Sequence, residues 1–189
     1  GRIAATGMAH APRPLRLCYA GDVAFLSASQ LDPARQRLQM GAELIGTDSV
    51  AAASEIVSVA IDALMAAGVT NISVDFTLPD LVDALAQDAM PLAPDQREAV
   101  RRELDTKDAG GLREAGGDAY LPLLYATGDF ATAIDKLAAL DAGGALASRI
   151  EGLRTIAATI GERARVTLDP TERHGFEYQS WFGFTLYAD

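Results

Sequence analysis

Gln39 and Glu43 stand four residues apart in RQRLQMGAELIG, with Gly41 between them. On a strand, residues four apart point the same way, so the two polar groups would share one face, about 13 Å apart along it. A glycine between them admits a ligand or another backbone close to the sheet. A carboxylate among apolar neighbours is either buried with a partner or facing a pocket, and an outward-facing polar pair on an edge strand fits the pattern equally. The second concentration of notable residues is HGFEYQSWFGFTLYA, residues 174–188, which holds two tyrosines, three phenylalanines and the sole tryptophan. On pattern alone that stretch reads as packed sheet. Cys18 lies in an alternating segment and reads as a small packed side chain rather than a nucleophile. His10, in an Ala/Pro-rich segment, reads as a surface residue, and the acidic residues of DQREAVRRELD pair with Arg97, Arg101 and Arg102 on a solvated helix face. No G-x-S-x-G elbow, H-E-x-x-H pair, P-loop or dinucleotide fingerprint occurs.

The elements that would position these groups fall into three stretches. Residues 15–46 alternate, with Leu15, Leu17 and Tyr19 on one face and Arg16 and Cys18 on the other. Residues 22–26 read as a second strand and 37–45 as a third, on which Leu38, Met40, Ala42 and Leu44 oppose Gln39, Glu43 and Ile45. Asp48 and Ser49 then cap a helix running to about Ala67, stopped by Gly68 and carrying an apolar stripe of Ile56, Val59, Ala60, Ala63 and Leu64. Residues 71–77 alternate again, with Ile72, Val74 and Phe76 directed to the core of an internal strand. From about 79 to 163 the pattern is helical, with helices expected at 80–88, 94–104, 117–126, 130–140 and 145–161. Glycine pairs at 110–111, 116–117 and 143–144 read as loops between them. These helices carry enough apolar residues to form a cluster of their own. Residues 164–189 return to strand. The expectation is an α+β fold in which 1–78 begin the core, 79–163 form a helical insertion, and 164–189 resume the sheet. Both ends break off inside patterned segments, as a fragment of a longer protein would.

Composition narrows the function. The 189 residues carry 16 Lys and Arg against 26 Asp and Glu, a net charge of −10. Such a balance disfavours binding a phosphate backbone, which requires cations for neutralisation. No apolar run reaches the length of a membrane span and no signal-peptide core opens the chain, so the cytoplasm is the expected compartment. One cysteine and two histidines exclude an intramolecular disulfide and multi-cysteine or histidine-rich metal sites within these residues.

Two segments in company resemble a known family. Residues 15–83, with LCYAGDVAFLSASQ and the Q-x-G-x-E-x-x-G of QMGAELIG, resemble the motif 2 hairpin, strand and helix of histidyl-tRNA synthetase, a class II aminoacyl-tRNA synthetase. Residues 164–189 resemble its later histidine-specific stretch, R-G-L-D-Y-Y-T-G. The resemblance implies an antiparallel sheet with flanking helices. It also implies an amino-acid pocket in which Gln39 accepts from an α-ammonium, Glu43 accepts from an imidazole N–H, and Tyr178 completes the wall.

The departures redirect the functional expectation. Phe25 stands where motif 2 carries the arginine that grips the ATP α-phosphate, and His174 stands where the second motif opens with a catalytic arginine. Neither supplies the permanent fork of donors that adenylate chemistry needs. Arg173 is adjacent to His174 but would point to the opposite face of an extended chain. This combination resembles the non-catalytic paralogues of the synthetase, the regulatory subunits of ATP phosphoribosyltransferase. The resemblance implies no chemistry and no cofactor of the chain's own. It implies a short catalytic subunit as partner, one that condenses ATP with phosphoribosyl pyrophosphate in the first step of histidine biosynthesis, together with self-association and histidine as effector. Gln179 replaces the family's second tyrosine, which touches the imidazole, so the scaffold role is the firmer implication and the sensor role the weaker. The alternatives left open are a catalytic-domain fragment of histidyl-tRNA synthetase and a pure interaction module.

Overall fold

The structure is a computed structural model that describes residues 7–26, 33–87, 89–173, 175 and 179–188. Its contacts divide the chain into two compact units, residues 1–59 and 60–189.

In the first unit β1 (Leu15–Ala24) pairs antiparallel with β2 (Gln36–Ile45), in unbroken register from Leu15 opposite Ile45 to Ala24 opposite Gln36. The expected separate strand at 22–26 is instead the end of β1. Gly21 and Asp22 read as a break in sequence, yet they pair with Gln39 and Leu38 and the ladder runs through them. Helix α1 (Val50–Ala66) follows, its first turn capped by the Ser49 hydroxyl, which accepts from the Ala52 N–H at 3.2 Å. At its far end Gly68 adopts φ +83°, and the N–H groups of Gly68 and Val69 return to the carbonyls of Met65 and Leu64. A side chain would resist that conformation, which is why a glycine ends the helix there.

In the second unit a four-stranded sheet has the order β4–β5–β3–β6, from β3 (Ser73–Thr77), β4 (Gly128–Asp129), β5 (Arg165–Leu168) and β6 (Gly183–Tyr187). Strand β3 is internal, as its alternation predicts, and Ile72, Val74 and Phe76 are buried. The sheet is mixed rather than wholly antiparallel, because β3 and β5 run parallel. Parallel neighbours cannot be joined by a tight turn and need a long crossover. The helical stretch is that crossover: α2 (Leu81–Gln87), α3 (Pro94–Asp105), α4 (Ala109–Glu114), a 3-10 helix (Asp118–Tyr125), α5 (Phe130–Leu140) and α6 (Ala147–Ile160).

Two of these elements differ from expectation for local reasons. Residues 117–126 were expected as an α-helix, but Pro122 lies inside them and supplies no N–H, and the turn tightens to 3-10. Gly110 and Gly111, read as a loop pair, lie in the first turn of α4, where the Asp108 side chain accepts from both their N–H groups at 2.9 Å. The helices also do not core by themselves. Phe130 packs edge-on against Phe76 of the sheet, with centroids 6.2 Å apart, and Phe182 and Phe184 lie against the same ring at 5.9 and 6.5 Å. Leu137, Ile150, Leu153 and Ile156 are buried, while Leu121, Leu124 and Leu140 are half-buried.

Candidate functional site

The hairpin presents the residues singled out from its sequence on one face. Register places Gly21 opposite Gln39, Tyr19 opposite Gly41 and Leu17 opposite Glu43, so Gln39 and Glu43 share a face with Tyr19. Gly41 serves this face in an unforeseen way. A Cβ there would fall 2.5 Å from the Tyr19 ring, so the space beside the strand is taken by that ring rather than left for a ligand. Laid across the glycine, the Tyr19 hydroxyl reaches Gln39 and accepts from its Nε2 at 2.9 Å. Glu43 is exposed and, among the described residues, has no hydrogen-bond or ion-pair partner. A solvated carboxylate beside a phenol and an amide makes a polar strip with acceptor character at one end. Arg16, on the opposite face, pairs with Glu55 of α1.

Phe25 is exposed just beyond β1, and the Arg37 guanidinium carbon lies 4.8 Å from its ring centroid. Sequence reasoning counted the arginine missing at position 25 and overlooked the cation two residues into β2. The available signal was an aromatic just past the end of β1 and an arginine at the start of its partner strand β2, since a ring face attracts a guanidinium. His174 and Tyr178 lie outside the described residues. Gln179 is exposed. Cys18 is exposed rather than packed, because the β1 face it shares with Ala20 is uncovered among the described residues. His10 is exposed, as expected.

A second set of polar groups, in the other unit, escaped sequence reasoning. Asp80, just before α2, receives Arg149 of α6 as a fork, from Nε at 3.0 Å and Nη2 at 2.7 Å, and accepts from the Trp181 N–H at 2.9 Å. Burial pushes the Asp80 carboxyl up, and these hydrogen bonds outweigh it, holding the group below the ordinary carboxylate value. Residues 169–173 are held as well. Lys107 donates to Asp169 and Thr171 at 2.8 and 2.5 Å, Asp105 accepts from the Arg173 N–H at 2.8 Å, and the Thr77 hydroxyl donates to the Glu172 carbonyl. On the sheet's polar face Asp75 accepts from Thr167, while burial, with a contribution from nearby Asp169, raises its carboxyl despite Lys107. Arg101, expected on a solvated helix face, is mostly buried and bridges Glu98 on α3 to Asp83 on α2. None of these pairs is near in sequence, apart from Arg101–Glu98, so no local spacing announces them.

The whole chain, residues 1–189, matches the family model for histidyl-tRNA synthetase. It is 37% identical over 193 residues to the ATP phosphoribosyltransferase regulatory subunit of Rhodospirillum centenum, covering 99% of this chain and 50% of that protein. The chain thus spans about half the length of the curated relatives it matches. Its fold matches the crystal structure of an ATP phosphoribosyltransferase regulatory subunit/histidyl-tRNA synthetase from Bacillus halodurans, with a TM-score of 0.83 and 25% identity, over 100% of this chain and 51% of that one. It also matches a chain of the ATP phosphoribosyl transferase complex of Thermotoga maritima, with a TM-score of 0.72 and 17% identity, over 94% of this chain and 65% of that one. No described helix is long and apolar enough to cross a membrane. With its helix-flanked sheet, its hairpin bearing Gln39, Gly41 and Glu43, and a match along its full extent, the chain belongs to the histidyl-tRNA synthetase family and has the class II synthetase-like α+β fold.

Proposed function

We propose that this chain is part of a regulatory, non-catalytic subunit of ATP phosphoribosyltransferase. The observation that carries the reading is the similarity to regulatory subunits along 99% of the chain. Phe25 supports it: the resemblance puts this uncharged ring at the position of the family's ATP-gripping arginine, a cation that adenylate formation needs. In this reading residues 1–78 and 164–189 form the synthetase-like core and 79–163 its insertion. The partner is the short catalytic subunit, histidine is the effector, and Gln39 and Glu43 on the hairpin are the residues that would bind it. The compartment is the cytoplasm.

One observation favours a second reading, a histidyl-tRNA synthetase catalytic domain. Arg37 sets a guanidinium against Phe25 and so returns a cation to the end of the hairpin. The two readings separate on pyrophosphate exchange. The full-length protein, given ATP, histidine and labelled pyrophosphate, is expected to return no label to ATP. Histidine-dependent exchange that Arg37→Ala abolishes would establish the synthetase reading instead.

A further inference from the structure

We propose that Asp80 is a positioning residue that ties helix α6 to the turn formed by Gln179, Ser180 and Trp181 and so fixes how that turn leads into β6. Three donors converge on this one carboxylate, two from Arg149 and one from the Trp181 backbone. The Asp80 and Arg149 side chains are only 17% and 20% exposed, so the pair is well sheltered from water. A fork-shaped guanidinium holds the carboxylate plane, which directs the lone pair left on Oδ2 toward the third donor. Trp181 needs such a hold. Its φ of +75° is a conformation that bulky residues rarely adopt, and it persists only where the surroundings impose it. The Trp181 ring supports the same geometry by standing edge-on to Phe182 at 4.8 Å. Asp80 and Arg149 belong to opposite ends of the helical crossover, so closing that crossover correctly is what presents the acceptor to Trp181. Both ends of the crossover thereby take part in holding the residues that lead into β6.

The consequence for ligand response rests on the effector reading above, in which Gln179 occupies the position facing the imidazole. The test is peptide-resolved hydrogen exchange on the full-length protein. Asp80→Ala removes the acceptor, and exchange in the peptide carrying the Trp181 amide is expected to rise by about tenfold or more, with α5 unchanged. Arg149→Met leaves the carboxylate on the amide and is expected to raise it by less than about threefold. Asp80→Glu keeps the charge, and with it the fold if Asp80→Ala does not fold. It moves the acceptor by one methylene and is expected to deprotect Trp181 by at least about threefold. Unchanged protection in Asp80→Glu, or equal deprotection by Asp80→Ala and Arg149→Met, overturns the positioning role. In the assembled enzyme, Asp80→Glu is also expected to raise the half-inhibitory histidine concentration at least about threefold. A deprotected Trp181 with an unaltered histidine response leaves the positioning role standing and overturns the effector reading at this turn.

Discussion

Glu43 and Asp75 are both carboxylates on strands, and their surroundings give them opposite uses. Glu43 is exposed on the hairpin face, so it is accessible to a ligand donor. In the proposed effector reading, Glu43→Gln takes the charge out of its hydrogen bond to the ligand, at a cost of about 1.5–3 kcal/mol. In the assembled enzyme it is expected to weaken histidine inhibition by about tenfold or more while subunit association, followed by size-exclusion chromatography, persists. Inhibition equal to that of the parent would place the effector site elsewhere. Asp75 is half-buried beside Asp169 and Lys107, and its pKa is raised in the folded state by desolvation. Below the unfolded pKa, about 4, both states hold the proton and nothing is lost. As pH rises through the folded pKa, the folded state must ionise a group that its site disfavours, and stability falls. Asp75→Asn keeps the acceptor for Thr167, so it is expected to melt at a higher temperature than the parent at pH 7, with the difference vanishing toward pH 4. A variant that melts lower than the parent at pH 7 but not near pH 4 would show instead that the charge is needed. At this scale the sequence was informative about which face Gln39 and Glu43 share, because period-two alternation dictates it. It was silent about Tyr19 lying over Gly41, since a glycine announces space without naming the occupant.

Secondary structure was most legible where period and burial agree. Residues 71–77 alternate cleanly, and the strand they form buries Ile72, Val74 and Phe76. Helix α1 was readable from its serine cap, its apolar stripe and its closing glycine. The six-residue α4 was not, because two glycines argue for a loop and the Asp108 cap that outweighs them lies outside any periodic pattern. The parallel pairing of β3 with β5 was not legible either, since strand direction depends on the crossover between them. Phe76 is where these elements meet, contacting Phe130 on α5, Phe184 on β6 and Phe182 just before it. Phe76→Ala is expected to cost about 3–5 kcal/mol in urea unfolding, the range for deleting a fully buried aromatic ring. A loss below about 1 kcal/mol would mean that the aromatic layer collapses to fill the gap.

For the molecule as a whole, the fold and the family were legible because two motifs with fixed internal spacing lie on either side of a stretch that has none. The proposed function draws on a departure, Phe25 where the family resemblance implies a cation, and the structure sets Arg37 against that ring. The proposed reading, which rests on similarity to regulatory subunits along the chain, is of a protein that acts through a partner. The direct measurement is a titration of the full-length protein into the short ATP phosphoribosyltransferase catalytic subunit, following the condensation of ATP with phosphoribosyl pyrophosphate. A regulatory subunit raises the rate to a plateau at a fixed stoichiometry, and added histidine then lowers it. A rate that stays at the level of the catalytic subunit alone, across concentrations that saturate any complex, would contradict the account.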